Sequence, residues 1–121
     1  MNDPASKTIL LVEDESLIAL DEARIIKKYG FTVITAPNAQ KAIRAIKEKN
    51  IDLILMDIDL GPNKMDGTEA AQIILKENDI PIVFLSSHTS PEIVGKTENI
   101  TSYGYIVKNS GETVLIASIK M

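Results

Sequence analysis

The sequence has no cysteine and no tryptophan, and only two phenylalanines and three tyrosines in 121 residues. Without cysteine the chain has no disulfides, thiolate metal ligands or thiol nucleophile. So few aromatic side chains argue against a base-stacking surface for nucleic acid. No apolar run approaches the roughly 20 residues that a membrane span needs, and the first residues lack a signal-peptide pattern. We therefore expect no membrane association and a cytoplasmic location.

The charge balance is mildly acidic, with 13 basic and 17 acidic residues and a net charge of −4. Because no block of basic residues occurs, we expect no direct nucleic-acid binding by this segment. The length suits one domain. We predict an N-terminal tail over residues 1–6 and one domain over residues 7–121, whose last helix is truncated after about ten residues.

Apolar runs and helical periodicity alternate along the chain. Helix boundaries are indicated by Ser16 as an N-cap, Gly30 just past a helix end, Asn38 as an N-cap, and Asp66 with Glu69 as a capping box. Helical stripes, including Ile73 and Ile74, are predicted to face the core. The predicted strands cover residues 7–12, 31–35, 51–56, 80–85 and 103–107, and the predicted helices 17–29, 39–46, 67–74, 92–100 and 112–121.

Five strand–helix units with nearly continuous apolar strands are typical of an α/β protein. They predict an open, doubly wound parallel sheet with helices on both faces and right-handed crossovers. In such sheets the ligand site lies beyond the carboxyl ends of the strands. The residues that follow each strand are therefore the candidates for function.

Polar residues follow four of the five predicted strands: Glu13 and Asp14, then Asp57, Ser86 and Lys108. Carboxylates without histidine or cysteine favour a hard cation, and Mg²⁺ in particular when phosphate oxygens take part. Asp57 can then act as a nucleophile toward phosphorus and form an aspartyl phosphate. Ser86 can donate a hydrogen bond to the phosphoryl group and Lys108 can neutralise it, so the set indicates phosphoryl transfer.

Five short motifs, in this order and spacing, resemble a known family: the receiver domain of two-component response regulators, which also occurs within hybrid sensor histidine kinases. The resemblance implies a flavodoxin-like three-layer sandwich whose strands lie in the order 2-1-3-4-5. It makes Asp57 the phosphoacceptor. The motifs are Val12–Glu15 (VEDE), Leu55–Asp57 (LMD), Asp66–Gly67 (DG), Phe84–Ser87 (FLSS) and Gly104–Lys108 (GYIVK).

The resemblance also implies how Mg²⁺ is held. Asp14 and Asp57 supply carboxylate ligands, the backbone carbonyl of Asp59 is the third protein ligand, and Glu13 acts through a metal-bound water. Each acid has a simpler reading, since Asp14 would also favour a helix N-terminus and a strand-end Asp57 is often only a turn residue. The match of the whole set favours the metal site.

The implied partners are a histidine kinase or a histidine phosphotransfer protein, which donates the phosphoryl group. Ser86 and Tyr105 would form the switch, and the surface of the fourth helix, fifth strand and fifth helix would change on phosphorylation. An output or kinase domain in a longer parent chain and a phosphorylation-dependent dimer are further expectations.

Several positions depart from the family pattern. Gly67 lies ten positions after the phosphoacceptor, two more than is common, so the loop over residues 59–67 is enlarged. Asn109 replaces the usual proline after the lysine. Asp59 and His88 flank the expected path of attacking water, and so could set the lifetime of the phosphoryl group. His88, the one histidine, is predicted to be a loop residue rather than a metal ligand.

Two other functions fit parts of the sequence. Asp57-Ile58-Asp59 after an apolar strand also fits the nucleophile motif of haloacid-dehalogenase-type hydrolases, but no acidic pair follows Lys108 and Glu13 would be unexplained. A receiver-like interaction module that no longer accepts phosphate is the other alternative, against which the intact acid set argues.

Overall fold

The computed structural model describes residues 7–60, 65–86, 91–100, 105–107 and 111–120. Strands and helices alternate through these ranges as the periodicity predicts. The strands are β1 (Thr8–Val12), β2 (Thr32–Ala36), β3 (Leu53–Asp57), β4 (Ile82–Ser86) and β5 (Tyr105–Val107). The helices are α1 (Ser16–Lys28), α2 (Ala39–Glu48), α3 (Gly67–Glu77), α4 (Pro91–Ile100) and α5 (Glu112–Lys120).

The five strands form one parallel sheet in the order β2-β1-β3-β4-β5. The predicted flavodoxin-like arrangement is therefore confirmed. After β2 the chain returns past β1 to β3, so the strand order reverses between these two central strands. The carboxyl ends of β1 and β3 flank this switch point, where doubly wound sheets bind their ligands.

Alternate residues of β1 to β4 enter two separate hydrophobic clusters, one on each face of the sheet. Burying each such aliphatic side chain contributes about 1.5–3 kcal/mol, so the sheet is held from both sides. On one face, Ile9, Leu11 and Leu55 pack with α1 (Ala19, Ala23, Ile26) and α5 (Leu115, Ile116, Ile119). On the other, Leu10, Ile54 and Phe84 pack with α2 (Ala39, Ala42) and α3 (Ala70, Ala71, Ile74).

One residue of the predicted stripes is not in the core. Ile73 is 41% exposed, whereas Ile74 beside it is buried. The prediction for Ile73 was wrong because successive helical residues are rotated by about 100°, and the α3 face toward the sheet is already filled by Ala70, Ala71 and Ile74. Ile73 instead borders a groove between α2 and α3.

The helix ends confirm three of the four predicted caps. The Asn38 side chain accepts from the Lys41 N–H at 2.9 Å, and Asp66 accepts from the Glu69 N–H at 2.9 Å. Gly30 has φ of +96° just past α1, as an αL cap requires. The prediction of Ser16 as an N-cap was wrong, because Ser16 is already helical and Glu15 occupies the cap position.

Three strands end one residue later than predicted, and β2 is the first of them, ending at Ala36. Asp57 and Ser86 are the last residues of β3 and β4 rather than the first residues after them. At the other end of β3, the Asp52 carboxylate accepts from the Thr8 N–H at 2.7 Å, a side-chain bond in place of a ladder bond. Before β4, Pro81 has no N–H to give to the ladder.

A polar cluster joins the end of α1 to α5. The Tyr29 hydroxyl donates to Glu112 Oε1 at 2.6 Å, and Lys28 Nζ lies 3.1 Å from the same oxygen. Lys120 Nζ lies 5.7 Å from the centre of the Tyr29 ring, within cation–π range. The hydrogen bond from Tyr29 is the main reason that the pKa of Glu112 is lowered from its ordinary value of 4.5.

Candidate functional site

The carboxyl ends of the central strands come together in register. Val12 pairs with Met56, so Glu13 follows β1 at the level at which Asp57 ends β3. Asp57 in turn pairs with Leu85, which places Ser86 one residue further along β4. Glu13, Asp57 and Ser86 therefore lie at one edge of the sheet, as the sequence predicted from the strand ends.

Three carboxylates form a tight cluster at this edge. One oxygen from each of Glu13, Asp14 and Asp57 lies within 4.8 Å of the other two. Glu13 and Asp57 are each 2% exposed, while Asp14 is exposed. Two buried carboxylates therefore lie beside a third that is exposed to solvent.

The composition of this cluster fits a hard divalent cation. Burying two negative charges side by side costs free energy unless a cation neutralises them. All three donors are carboxylate oxygens, the ligand type that suits Mg²⁺ and other hard ions. Each carboxylate can offer an oxygen to one ion from a shared position, so the residues present fit the predicted metal.

Backbone hydrogen bonds fix the phosphoacceptor candidate. The Asp59 N–H donates to Asp57 Oδ1 at 3.2 Å. The Ile58 N–H donates to the Leu85 carbonyl at 3.0 Å, which extends the pairing with β4 past the end of β3. On the neighbouring strand, the Glu13 N–H donates to the Ala36 carbonyl at 3.0 Å. The backbone beneath the acids is thus tied on both sides.

Gly67 closes the loop that follows Asp57. Its N–H donates to the Ile58 carbonyl at 2.8 Å. A Cβ at this position would overlap the Asp57 carbonyl oxygen and lie 2.8 Å from the carbonyl carbon. The sequence identified Asp66-Gly67 as a motif but did not predict this contact. The only indication in the sequence was a glycine at the start of the helix that follows the Asp57 strand. Only glycine lets α3 approach so closely.

Other predicted site residues are placed in part. Ser86 is 3% exposed and pairs with Val107 of β5. Tyr105 is the first residue of β5, and its predicted role as a switch side chain stays a prediction. Three further residues of the sequence analysis lie outside the described residues: Lys108, His88 and Asn109.

Sequence reasoning missed an exposed apolar pair beside the acids. Leu17 and Leu20, in the first turns of α1, are 80% and 69% exposed. The two leucines are three positions apart on α1, and neither belongs to its buried stripe of Ala19, Ala23 and Ile26. Because α1 begins three residues after Glu13, this pair lies near the carboxylate cluster.

Comparison with known proteins gives consistent results. Residues 9–120 match the family described as response regulator receiver domain. The chain is 28% identical over 116 residues to the transcriptional regulatory protein PdtaR of Mycobacterium tuberculosis, covering 95% of this chain and 56% of that protein. It is 28% identical over 117 residues to the CAI-1 autoinducer sensor kinase/phosphatase CqsS of Vibrio cholerae, covering 93% and 17%.

Among solved structures, the chain resembles the N-terminal domain of a response regulator/sensory box/GGDEF three-domain protein from Carboxydothermus hydrogenoformans. The TM-score is 0.86 and the identity 42%, over 95% of this chain and 92% of that one. The chain thus spans about half of the first curated relative and a small part of the second. Among the described helices, none is long and apolar enough to cross a membrane.

Proposed function

Since the chain belongs to the family of response regulator receiver domains, we propose that it accepts a phosphoryl group on Asp57 in a two-component phosphorelay. The donor would be the phosphohistidine of a histidine kinase or of a histidine phosphotransfer protein. The observation that supports this proposal most is the cluster of Glu13, Asp14 and Asp57 at the carboxyl edge of the sheet. Asp57 would be the nucleophile, and the clustered carboxylates would bind the divalent ion that phosphoryl transfer needs.

The proposed metal ligands follow from the same cluster. Asp14 and Asp57 would bind Mg²⁺ directly, the Asp59 carbonyl would complete the protein ligands, and Glu13 would act through a bound water. When bound, Mg²⁺ supplies positive charge that offsets the repulsion between the incoming phosphoryl oxygens and the carboxylates. The Asp59 backbone would thus have two roles. Its carbonyl would bind the ion, and its N–H donates to Asp57 Oδ1.

In the proposed reaction, a carboxylate oxygen of Asp57 attacks the phosphorus of the donor. The new P–O bond forms as the P–N bond to the histidine breaks, and the departing imidazole nitrogen takes its electron pair and then a proton. Ser86 would donate a hydrogen bond to one phosphoryl oxygen, and Lys108 would neutralise another. The aspartyl phosphate carries about −1.5 to −2 charge, by analogy with other phosphorylated side chains.

The signalling step would follow from this added charge. Ser86 would tighten toward the phosphoryl group, and Tyr105 would turn inward behind it. The strand pairing supports this coupling, since Ser86 ends β4 and β5 pairs directly with that strand. A partner, an output domain in the parent chain or a second receiver would then read the changed surface of α4, β5 and α5.

Leu17 and Leu20 are our candidates for contact with the donor protein. They are exposed apolar side chains near the acids, on a helix that begins beside Glu13 and Asp14. Exposed apolar groups next to a reactive group are typical of a surface that a partner covers. A small donor would not need this contact, whereas a protein donor would.

The two alternative functions receive less support. A haloacid-dehalogenase-type hydrolase leaves Glu13 without a role, yet Glu13 is one of the three clustered carboxylates. A module that no longer accepts phosphate would not need to keep two buried carboxylates together, because their repulsion costs stability. Steady turnover of a phosphomonoester would favour the hydrolase over the receiver.

The test is labelling with phosphoramidate, a small phosphoryl donor, followed by intact mass measurement. We expect one added phosphoryl group with Mg²⁺ and none after chelation. Asp57→Asn should abolish the label, while the matched control Asp21→Asn, an exposed aspartate on α1, should keep it. Equal labelling of Asp57→Asn, or labelling unaffected by chelation, would contradict the proposal.

A further inference from the structure

A groove lies between the carboxyl-terminal halves of α2 and α3, with a volume of about 270 Å³. Its floor is apolar, and consists of Ile43 and Ile46 from α2 with Ile73 and Ile74 from α3. Ile73 is the most exposed of the four, at 41%. The two helices therefore leave an apolar strip uncovered where they diverge.

The polar residues that line this α2–α3 groove are two lysines, one glutamate and one asparagine. Lys47 lines it from α2 and Lys76 from α3, both exposed, with Glu77 beside them. Within the described ranges, neither lysine has a carboxylate within 4 Å, since the ion pairs found there involve Arg24 and Lys28. Two exposed lysines without a salt-bridge partner among the described residues thus line the groove beside its isoleucines.

The positive charge extends along α2. Lys41, Arg44 and Lys47 are all exposed, at intervals of three residues, in a chain whose net charge is −4. A basic residue in the last turn, such as Lys47, is explained by the helix dipole. Lys41 lies in the first turn and on another side of α2 from Ile43 and Ile46, so it is outside the groove, whereas Lys47 lines it.

We propose that the α2–α3 groove, with Lys47 and Lys76 beside its apolar residues, docks an acidic amphipathic helix of a partner protein. A volume of about 270 Å³ is below the roughly 300–1,000 Å³ of small-molecule sites, but suits one or two anchoring side chains. Helices that lie in such grooves present apolar residues at i, i+3 or i+4, and i+7. Acidic residues flanking these anchors would pair with Lys47 and Lys76.

The groove is separate from the phosphoryl site. The acids lie at the carboxyl ends of β1 and β3, beside the start of α3, whereas the groove lies at the ends of α2 and α3, toward the opposite edge of the sheet. Docking would therefore not require phosphorylation of Asp57. Binding by Asp57→Asn should match that of the wild type, which keeps this proposal independent of the proposed function.

The test is fluorescence anisotropy with a labelled synthetic helical peptide that carries leucines at i, i+3 and i+7 between flanking glutamates. We expect binding that weakens as salt is added, because exposed charges are screened. The double variant Lys47→Glu/Lys76→Glu should weaken binding by about tenfold. The matched control Lys7→Glu/Lys27→Glu makes the same change in net charge away from the groove and should bind like the wild type.

Further measurements distinguish an acidic helix from other occupants of the groove. Ile73→Ser, at an exposed position that folding tolerates, should also weaken binding, with circular dichroism confirming the fold. The proposal is overturned if a peptide with glutamine in place of glutamate binds equally well, or if Ile73→Ser has no effect. It is also overturned if anionic phosphatidylserine vesicles bind the protein more tightly than the peptide does. Sedimentation velocity that shows self-association lost in Ile73→Ser would instead assign the groove to a second copy of the chain.

Discussion

Gly67 is the residue at which packing and chemistry are most closely joined. Its missing side chain lets α3 begin against the carbonyl group of Asp57, and its N–H fixes the Ile58 carbonyl. The neighbours that a Cβ would meet are backbone atoms of β3, which cannot move aside as a flexible side chain could. The position of Asp57 therefore depends on a glycine ten residues away in sequence.

We predict that Gly67→Ala destabilises the domain by about 1–3 kcal/mol, the range for overpacking at a site that cannot relax. Displacement of the Asp57 backbone should also slow labelling by phosphoramidate. Chemical denaturation and the labelling rate measure the two effects.

Gly95→Ala is the matched control. Gly95 lies within α4, and a Cβ there would meet nothing within 4 Å. Since alanine is preferred to glycine in a helix, this variant should be more stable by about 0.5–1 kcal/mol and labelled normally. If both variants lose stability equally, the contact with Asp57 is not the cause.

Individual residues were predicted from sequence to different extents. Glu13, Asp14 and Asp57 were found because parallel strands must end at one edge, which follows from chain order alone. The exposure of Leu17 and Leu20 and the packing of Gly67 were not found, because both depend on how helices rotate and approach the sheet. That rotation is set by the packing of all the layers together.

At the scale of elements, the existence and order of all ten helices and strands followed from periodicity. The exact ends of these elements did not follow from periodicity, because side-chain hydrogen bonds and helix caps also act there. The Asp52 side chain, just before β3, accepts from the Thr8 N–H, and Glu15 takes the cap position predicted for Ser16. The link between Tyr29 and Glu112 spans 83 residues, a separation at which no local pattern indicates contact.

For α1, we predict that Leu17→Asp/Leu20→Asp slows phosphoryl transfer from a histidine phosphotransfer protein but not labelling by phosphoramidate. The reason is that exposed leucines contribute to docking and not to the chemistry. Loss of one or two buried interface side chains should cost about 1–3 kcal/mol of binding, or roughly tenfold or more in affinity. Comparing transfer rates from the two donors is the measurement, and an equal slowing with both would sink the assignment.

For the contact of α1 with α5, we predict a pH-dependent stabilisation that Glu112→Gln removes. The pKa of Glu112 is lowered by the Tyr29 hydrogen bond, so its contribution is present above pH 4.5 and is lost as pH falls through the lowered value. The pKa values of Lys28 and Tyr29 are raised by Glu112, so their contribution is lost only as pH rises through those raised values, above 10.5 and 10.0.

Urea unfolding of wild type and Glu112→Gln over a range of pH checks this expectation. The difference in the free energy of unfolding should be constant near neutral pH and shrink at both extremes. Asp21→Asn is a control, since Asp21 pairs only within α1, with Arg24 at 2.6 Å. A difference that grows below pH 4 would contradict the sign of the Glu112 shift.

At the scale of the whole molecule, we expect the acid cluster to make stability depend on a divalent cation. Without a cation the clustered carboxylates repel, and with one they are neutralised. We predict that Mg²⁺ at a hundred times its dissociation constant raises the free energy of unfolding by about 2.7 kcal/mol. Asp57→Asn should be more stable than wild type without Mg²⁺ and should gain less from its addition.

Thermal unfolding with and without Mg²⁺ measures this effect. Asp79→Asn is the matched control, because Asp79 is an exposed aspartate between α3 and β4, away from the cluster. It should respond to Mg²⁺ as the wild type does. If Asp57→Asn responds equally, the ion acts elsewhere on the protein.

The hydrogen bond between Gly67 and the Ile58 carbonyl closes the enlarged loop at its base, and Leu60 is buried just inside that closure. Lengthening a closed loop by two residues costs less than about 0.6 kcal/mol, the cost of doubling its length. An insertion between these two anchor points therefore costs little free energy. The closing hydrogen bond separates such an insertion from the strand that carries Asp57.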